Sequence, residues 1–153
     1  MFTDLLEVIA KDAVGNLGND VIASQRNKGL RASGRSAASL EVRSQAGDHR
    51  VATQLWGDIS FTWQANGRRP NKSGKPSRRM VEELTVWLKY KGLDYSPWAV
   101  ATNIAKKGID VPNPHNPGGV LSEPLDAKRI KELVGPRIQG AVFKELKSML
   151  FNV

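Results

Sequence analysis

The chain has 153 residues and a formal net charge of +8, from 23 Lys and Arg against 15 Asp and Glu, and it contains no cysteine. One domain is expected at this length, and the missing cysteines exclude a disulfide scaffold, a thiolate metal site and a Cys nucleophile. An apolar fraction of 40% with four Trp excludes general disorder, and no apolar run reaches the roughly 18 residues a membrane span needs.

Residues 1–28 read as a helix. Thr3 is the expected cap, with Asp4 and Glu7 in the first turn where negative charge suits the dipole. The stretch is no signal peptide, because Glu7 and Lys11 cut its apolar run. Leu5, Leu6, Ile9, Ala13, Leu17 and Val21 recur at helical spacing. Gly15 and Gly18 weaken such a helix by roughly 1 kcal/mol each, so packing must compensate. Lys28-Gly29 is a stop signal.

Residues 33–39 are small and polar, a loop or one short helical turn. Residues 39–66 read as antiparallel strands on tight turns: 40–44, then 50–55, then 59–64. In the last, Ile59, Phe61 and Trp63 alternate with Ser60, Thr62 and Gln64. Phe61 and Trp63 are expected on the buried sheet face, and Trp56 at an exposed turn.

Residues 67–79 form a basic loop with two Gly and two Pro and no large apolar side chain. Residues 77–108 hold two helices. Ser77 caps the first, which runs through Met80, Val81, Leu84, Trp87 and Leu88 to Gly92; Ser96-Pro97 starts the second, which ends at Gly108. Residues 109–123 are a Pro/Gly-rich loop. Residues 124–151 return to helical periodicity, with Gly135-Pro136 expected to kink or split the segment. The fold class is therefore α+β in a single domain, 1–153: a small antiparallel β-sheet of about three to four strands packed against several helices, with long loops.

The charge is unevenly spread. Residues 1–25 carry one base and four acids, whereas 67–79 carry six bases and no acid. The six are Arg68, Arg69, Lys72, Lys75, Arg78 and Arg79. Cations at this density need counterions or a partner, and they suit contact with phosphate or an acidic surface as well as a solvated linker.

No residues are arranged for catalysis. His49 sits beside a hairpin turn and His115 in the Pro-rich loop, neither with a second ligand at metal spacing. Glu82 and Glu83 are adjacent and point apart on a helix. Gly67 to Pro76 lacks the spacing and the hydroxyl of a phosphate cradle, and Ser33-Gly34-Arg35-Ser36 lacks a nucleophile elbow. The chain is expected to be no enzyme, with no catalytic, cofactor-binding or metal residues and no cofactor.

The serial order of these features resembles the tail-completion, or neck, proteins of tailed bacteriophages. In that family a Thr/Ser-Gly-Arg-Leu segment leads into the first strand, and an aromatic strand followed by Gly and Pro enters a long loop. Ser33-Gly34-Arg35 through Val42, and Ile59 through Gly67-Arg68-Arg69-Pro70, stand in those places. Lys75-Pro76, Trp87 to Leu93 and Ala101 to Gly108 are similar to a variant of the family. The likeness covers roughly residues 30–125; it departs at Ser36, where Leu is usual, and in the gap from Pro70 to Lys75. The resemblance implies a structural virion protein, made in the host cytoplasm. It would form a homo-oligomeric ring (hexamer or dodecamer) at the neck or the head-proximal end of the tail. Its partners would be neighbouring neck, portal-adaptor or tail-tube proteins and double-stranded DNA passing non-specifically through the lumen, with no membrane. The six cations would then face the DNA channel or an acidic neighbouring ring. The other reading of the basic composition is a free-standing nucleic-acid-binding protein.

Overall fold

The computed structural model describes residues 2–48 and 50–151, which form six helices and one β-hairpin. His49 lies outside the described residues. The α+β class holds, with a sheet of two strands rather than three or four.

Helix α1 (Phe2–Asn27) takes in Thr3 as a helical residue, not as a cap. Ala13, Leu17, Val21 and Gln25 are all buried; their four-residue spacing puts them on one face. The helix stops where Lys28-Gly29 predicts. Gly29 N–H donates to Arg26 O and Leu30 N–H to Gln25 O, each at 3.0 Å, the paired closure of a left-handed glycine cap. The one-turn helix α2 (Arg35–Ala38) follows. Strands β1 (Glu41–Ala46) and β2 (Val51–Trp56) pair antiparallel from Glu41 opposite Trp56 to Ala46 opposite Val51. Val42, Ser44, Thr53 and Leu55 lie half-buried on the face toward α1, while Glu41, Arg43, Gln54 and Trp56 face outward. Gly18 is explained here: a Cβ on it would sit 3.3 Å from Leu55 Cδ1, so the glycine lets the hairpin close on α1.

Residues 59–64, expected as a third strand, form no strand: 60–64 belong to α3 (Ser60–Asn66), with Ile59 at its N-terminal cap position. Asp58 starts this helix, its Oδ1 accepting from Ser60 N–H at 2.8 Å and its carbonyl from Phe61 N–H. The alternation of Ile59, Phe61 and Trp63 is consistent with either state. On a helix, positions 59 and 63 share a face and 61 lies opposite. Accordingly Phe61 is buried, and Ile59 and Trp63 are exposed; Trp63 does not join a buried sheet face.

Helix α4 (Arg78–Lys91) is capped by Ser77, whose Oγ accepts from Met80 N–H, and ends at a left-handed Gly92. Helix α5 (Pro97–Lys107) is capped by Ser96 with Pro97 at its first position. The two pack through Met80, Val81 and Ala101, with Leu84 and Ile104 beside them. Helix α6 (Ala127–Phe151) is assigned as one helix through Pro136, not two. Its Arg129 pairs with Asp20 and its Arg137 with Asp12, so α6 runs antiparallel along α1. Polar bonds tie α1 to α2 and α3: buried Gln25 donates to Ser36 Oγ at 2.8 Å and to Gln64 Oε1 at 2.9 Å.

Candidate functional site

The basic segment has a fixed base and an open tip. At the base, Arg68 and Ile109 exchange two backbone hydrogen bonds of 2.8 and 2.7 Å. Gly67 and Gly108 flank this bridge at φ 78 and 76. A Cβ on Gly67 would overlap Ile109 O, and one on Gly108 would overlap Arg68 O, so both the φ and the approach require glycine. Asn71 N–H then donates to Ala105 O at 2.8 Å, pinning the segment to the end of α5. The tip, Asn71 to Gly74, is a β-turn closed by Gly74 N–H to Asn71 O.

The six predicted cations divide into three groups. Arg68 is half-buried, its guanidinium 5.0 Å from the Trp63 ring centroid and bonded to Asn71 Oδ1. Arg78 and Arg79 belong to the first turn of α4, not to the loop. They pair at 3.0 Å with Glu82 and Glu83 one turn on, and Arg35 also approaches Glu83 at 3.8 Å. Such exposed pairs contribute only about 0.3–0.5 kcal/mol and leave guanidinium edges available. Arg69, Lys72 and Lys75 are exposed and have no ion pair among the described residues. Of the six cations, three thus stand exposed and free of ion pairs on a braced turn.

Beside the base lies a groove of about 410 Å3. Met80, Leu84 and Ile104 line it, with Trp63, Trp87 and Tyr90 along its sides. Trp87 is 40% and Tyr90 63% exposed. The sequence stripe placed Trp87 with Leu88 on one apolar face; Leu88 takes the core position, and Trp87 is left at the surface. Trp56 is exposed as expected, but on the outward face of β2 at its last residue rather than at a turn, with Arg43 over its ring at 4.5 Å.

The Pro/Gly-rich segment 109–123 is tied down. Asn116 is buried, donating to Gln64 O and accepting from Gly118 N–H, and Val120 is fully buried. His115 is exposed in this segment. Among the described residues no three His, Asp or Glu side chains gather as a metal site, and no helix is long and apolar enough to cross a membrane. Compared with protein-family models, curated proteins and solved structures, the chain matches none of them.

Proposed function

We propose that this chain is a structural subunit of a tailed-bacteriophage neck, assembling as a ring that joins capsid to tail around the DNA channel. One quantity carries the assembly part of this reading. The chain exposes 10926 Å2, whereas a compact monomer of its mass exposes about 7,700 Å2. The surplus of roughly 3,000 Å2 exceeds two standard contact faces of about 800 Å2 each. A ring subunit needs two such faces, one for each neighbour. Nineteen large apolar side chains stand exposed among the described residues, Phe143, Met149 and Leu150 most of all. The braced turn supports the channel part. Repeated around a ring, Arg69, Lys72 and Lys75 make a belt of positive charge suited to the phosphate backbone without reading sequence.

The free-standing nucleic-acid-binding reading draws on Arg68 and Arg43 stacked on Trp63 and Trp56. The three free cations of the turn would by themselves give a log–log salt slope of only about −3 on duplex DNA; a steeper slope would require Arg50, Lys89, Lys106 and Lys107, which are also exposed and without ion pairs among the described residues. Electron microscopy of the purified protein, with a gel shift across salt concentrations, separates the two. The neck reading expects closed rings and weak binding by single chains. Monomers that bind duplex DNA tightly would overturn it in favour of the alternative. Within particles, changing Arg69, Lys72, Lys75 and Arg78 together to Glu should abolish tail joining or DNA retention. Normal infectious particles would leave the turn with no such role.

A further inference from the structure

We propose that the Trp63–Trp87 groove is a docking site for a short acidic segment of a partner protein, with one large apolar side chain entering the groove and a neighbouring Asp or Glu pairing with Arg68. The inference stands on the groove alone and holds equally for a ring subunit and for a free-standing protein.

Two neighbouring rows of side chains on α4 build the groove. Met80 and Leu84, four residues apart, give it an aliphatic floor together with Ile104 of α5. Glu83, Trp87 and Tyr90, spaced by four and three, form the next row and make a wall. Trp63 lines the groove from α3. The open volume of about 410 Å3 lies in the range of pockets that enclose inserted groups, about 300–1,000 Å3. It has room for a Leu or Trp side chain with the backbone that carries it. Trp and Tyr walls are the surfaces that concentrate binding energy once a contact dehydrates them.

Charge selects the occupant. Glu82 and Glu83 line the groove but are matched by Arg78 and Arg79 at 3.0 Å. Arg35 and Arg68 line it as well, which leaves the rim positive. Arg35 approaches Glu83 only at 3.8 Å, and its side chain is 71% exposed. Arg68 is the residue that points to a ligand. It is half-buried, yet it has no carboxylate partner among the described residues. Its guanidinium is held over the Trp63 ring and donates to Asn71 Oδ1, and its backbone is bridged to Ile109. A partly dehydrated cation fixed in this way loses little freedom on meeting a carboxylate, which can accept two parallel N–H bonds from it.

The two glutamates decide between the negatively charged polymers. A phosphodiester backbone has no hydrogen-bond donor, and Glu82 and Glu83 repel it. A peptide backbone offers N–H groups that these carboxylates accept. The aliphatic floor agrees, since bases stack on aromatic faces, whereas Met80, Leu84 and Ile104 suit an apolar side chain.

The test selects a ribosome-displayed library of short random peptides on the full wild-type chain, with Trp87→Ala for counter-selection. The expected result is an enriched consensus that places Asp or Glu beside Leu, Phe or Trp. The labelled consensus peptide, followed by fluorescence anisotropy, should bind Arg68→Gln about tenfold more weakly than wild type, with an unchanged circular dichroism spectrum. Arg35→Gln, at an exposed position, should weaken it by a smaller factor and serves if Arg68→Gln fails to fold. The same peptide with Asn and Gln in place of its acids should bind wild type weakly and should not distinguish it from the variants. No consensus, a consensus without acids, or equal affinity of wild type for the two peptides would overturn the proposal. If oligothymidylate displaces the peptide and binds more tightly, the groove takes single-stranded nucleic acid and the proposal fails. Ring formation is read separately by electron microscopy, so neither reading falls with the other.

Discussion

α1 and α6 have 26 and 25 residues and lie against each other, yet the molecule treats them differently. α1 is wrapped: the hairpin covers one side, α6 another, and four consecutive turns place a fully or nearly fully buried side chain at Ala13, Leu17, Val21 and Gln25. α6 buries Ala141 and leaves its other apolar side chains wholly or partly in water. Amphipathicity is therefore no measure of what a helix covers within its own chain. The hydrophobic gain of roughly 25 cal/mol per Å2 has been realised on α1 and is still outstanding on α6.

The largest expected effect breaks that contrast directly. Leu17→Ala, at a position 5% exposed, should cost about 2–5 kcal/mol in urea unfolding. Leu146→Ala, at a position 51% exposed, should change the stability of dilute single chains by no more than about 0.5 kcal/mol. A loss of several kcal/mol at Leu146 in dilute monomer would mean that α6 is covered after all. Next in size is the contrast between the base and the tip of the basic turn. Gly67→Ala places a Cβ against Ile109 O at φ 78 and should cost about 1–3 kcal/mol. Lys72→Ala at the exposed tip should leave the unfolding midpoint where it is. Equal effects would show that the base is not braced. The third contrast lies within α1. Gly15 has open space where a Cβ would go, whereas Gly18 has Leu55 at 3.3 Å. Gly15→Ala should stabilise by about 0.5–1 kcal/mol. Gly18→Ala should gain nothing or lose stability, because the hairpin must yield. The same measurement on both variants decides whether Gly18 is there for packing.

How much of this was legible depended on what each signal encodes. α4 and α5 were readable to the residue because caps are local chemistry: Ser77, Gly92 and Ser96-Pro97 act on their own backbone. The hairpin was readable within two residues at every strand end. α3 was not, because Ile59-Ser60-Phe61-Thr62-Trp63 alternates with period two and its helical alternative buries only Phe61. The overlooked signal was Asp58, a helix-starting side chain, set against Gly67, whose positive φ ends the segment. The basic loop was readable by composition, and the Ser77 cap already put Arg78 and Arg79 in α4; their pairing with Glu82 and Glu83 went unread, although the four-residue spacing was the available sign. The uncovered face of α6 was unreadable in principle, since apolar periodicity reports that a face is apolar and not what lies on it.

The smallest predicted effect concerns the residue that turned the expected strand into a helix. Asp58 is held below the ordinary carboxylate range first by its hydrogen bonds to the Ser60 hydroxyl and N–H, then by the charges of Arg35 and Arg79. A lowered folded pKa means that the carboxylate's stabilisation is fully present above the unfolded value of about 3.9 and is lost as pH falls through the lower folded value. The contribution is on the order of a few tenths of a kcal/mol, because the group is half-exposed and its guanidinium neighbours are screened. Asp58→Asn keeps an oxygen for the Ser60 N–H and removes the charge. Wild type should therefore exceed this variant slightly in stability at neutral pH, and the two should converge only as pH falls below the unfolded value and through the lower folded one, where the wild-type carboxylate takes up its proton. Asp58→Ala removes the oxygen as well and should lose about 1 kcal/mol at every pH. If Asn and Ala behave alike, the Ser60 bond does not hold α3, and the start of that helix rests on Phe61 packing alone.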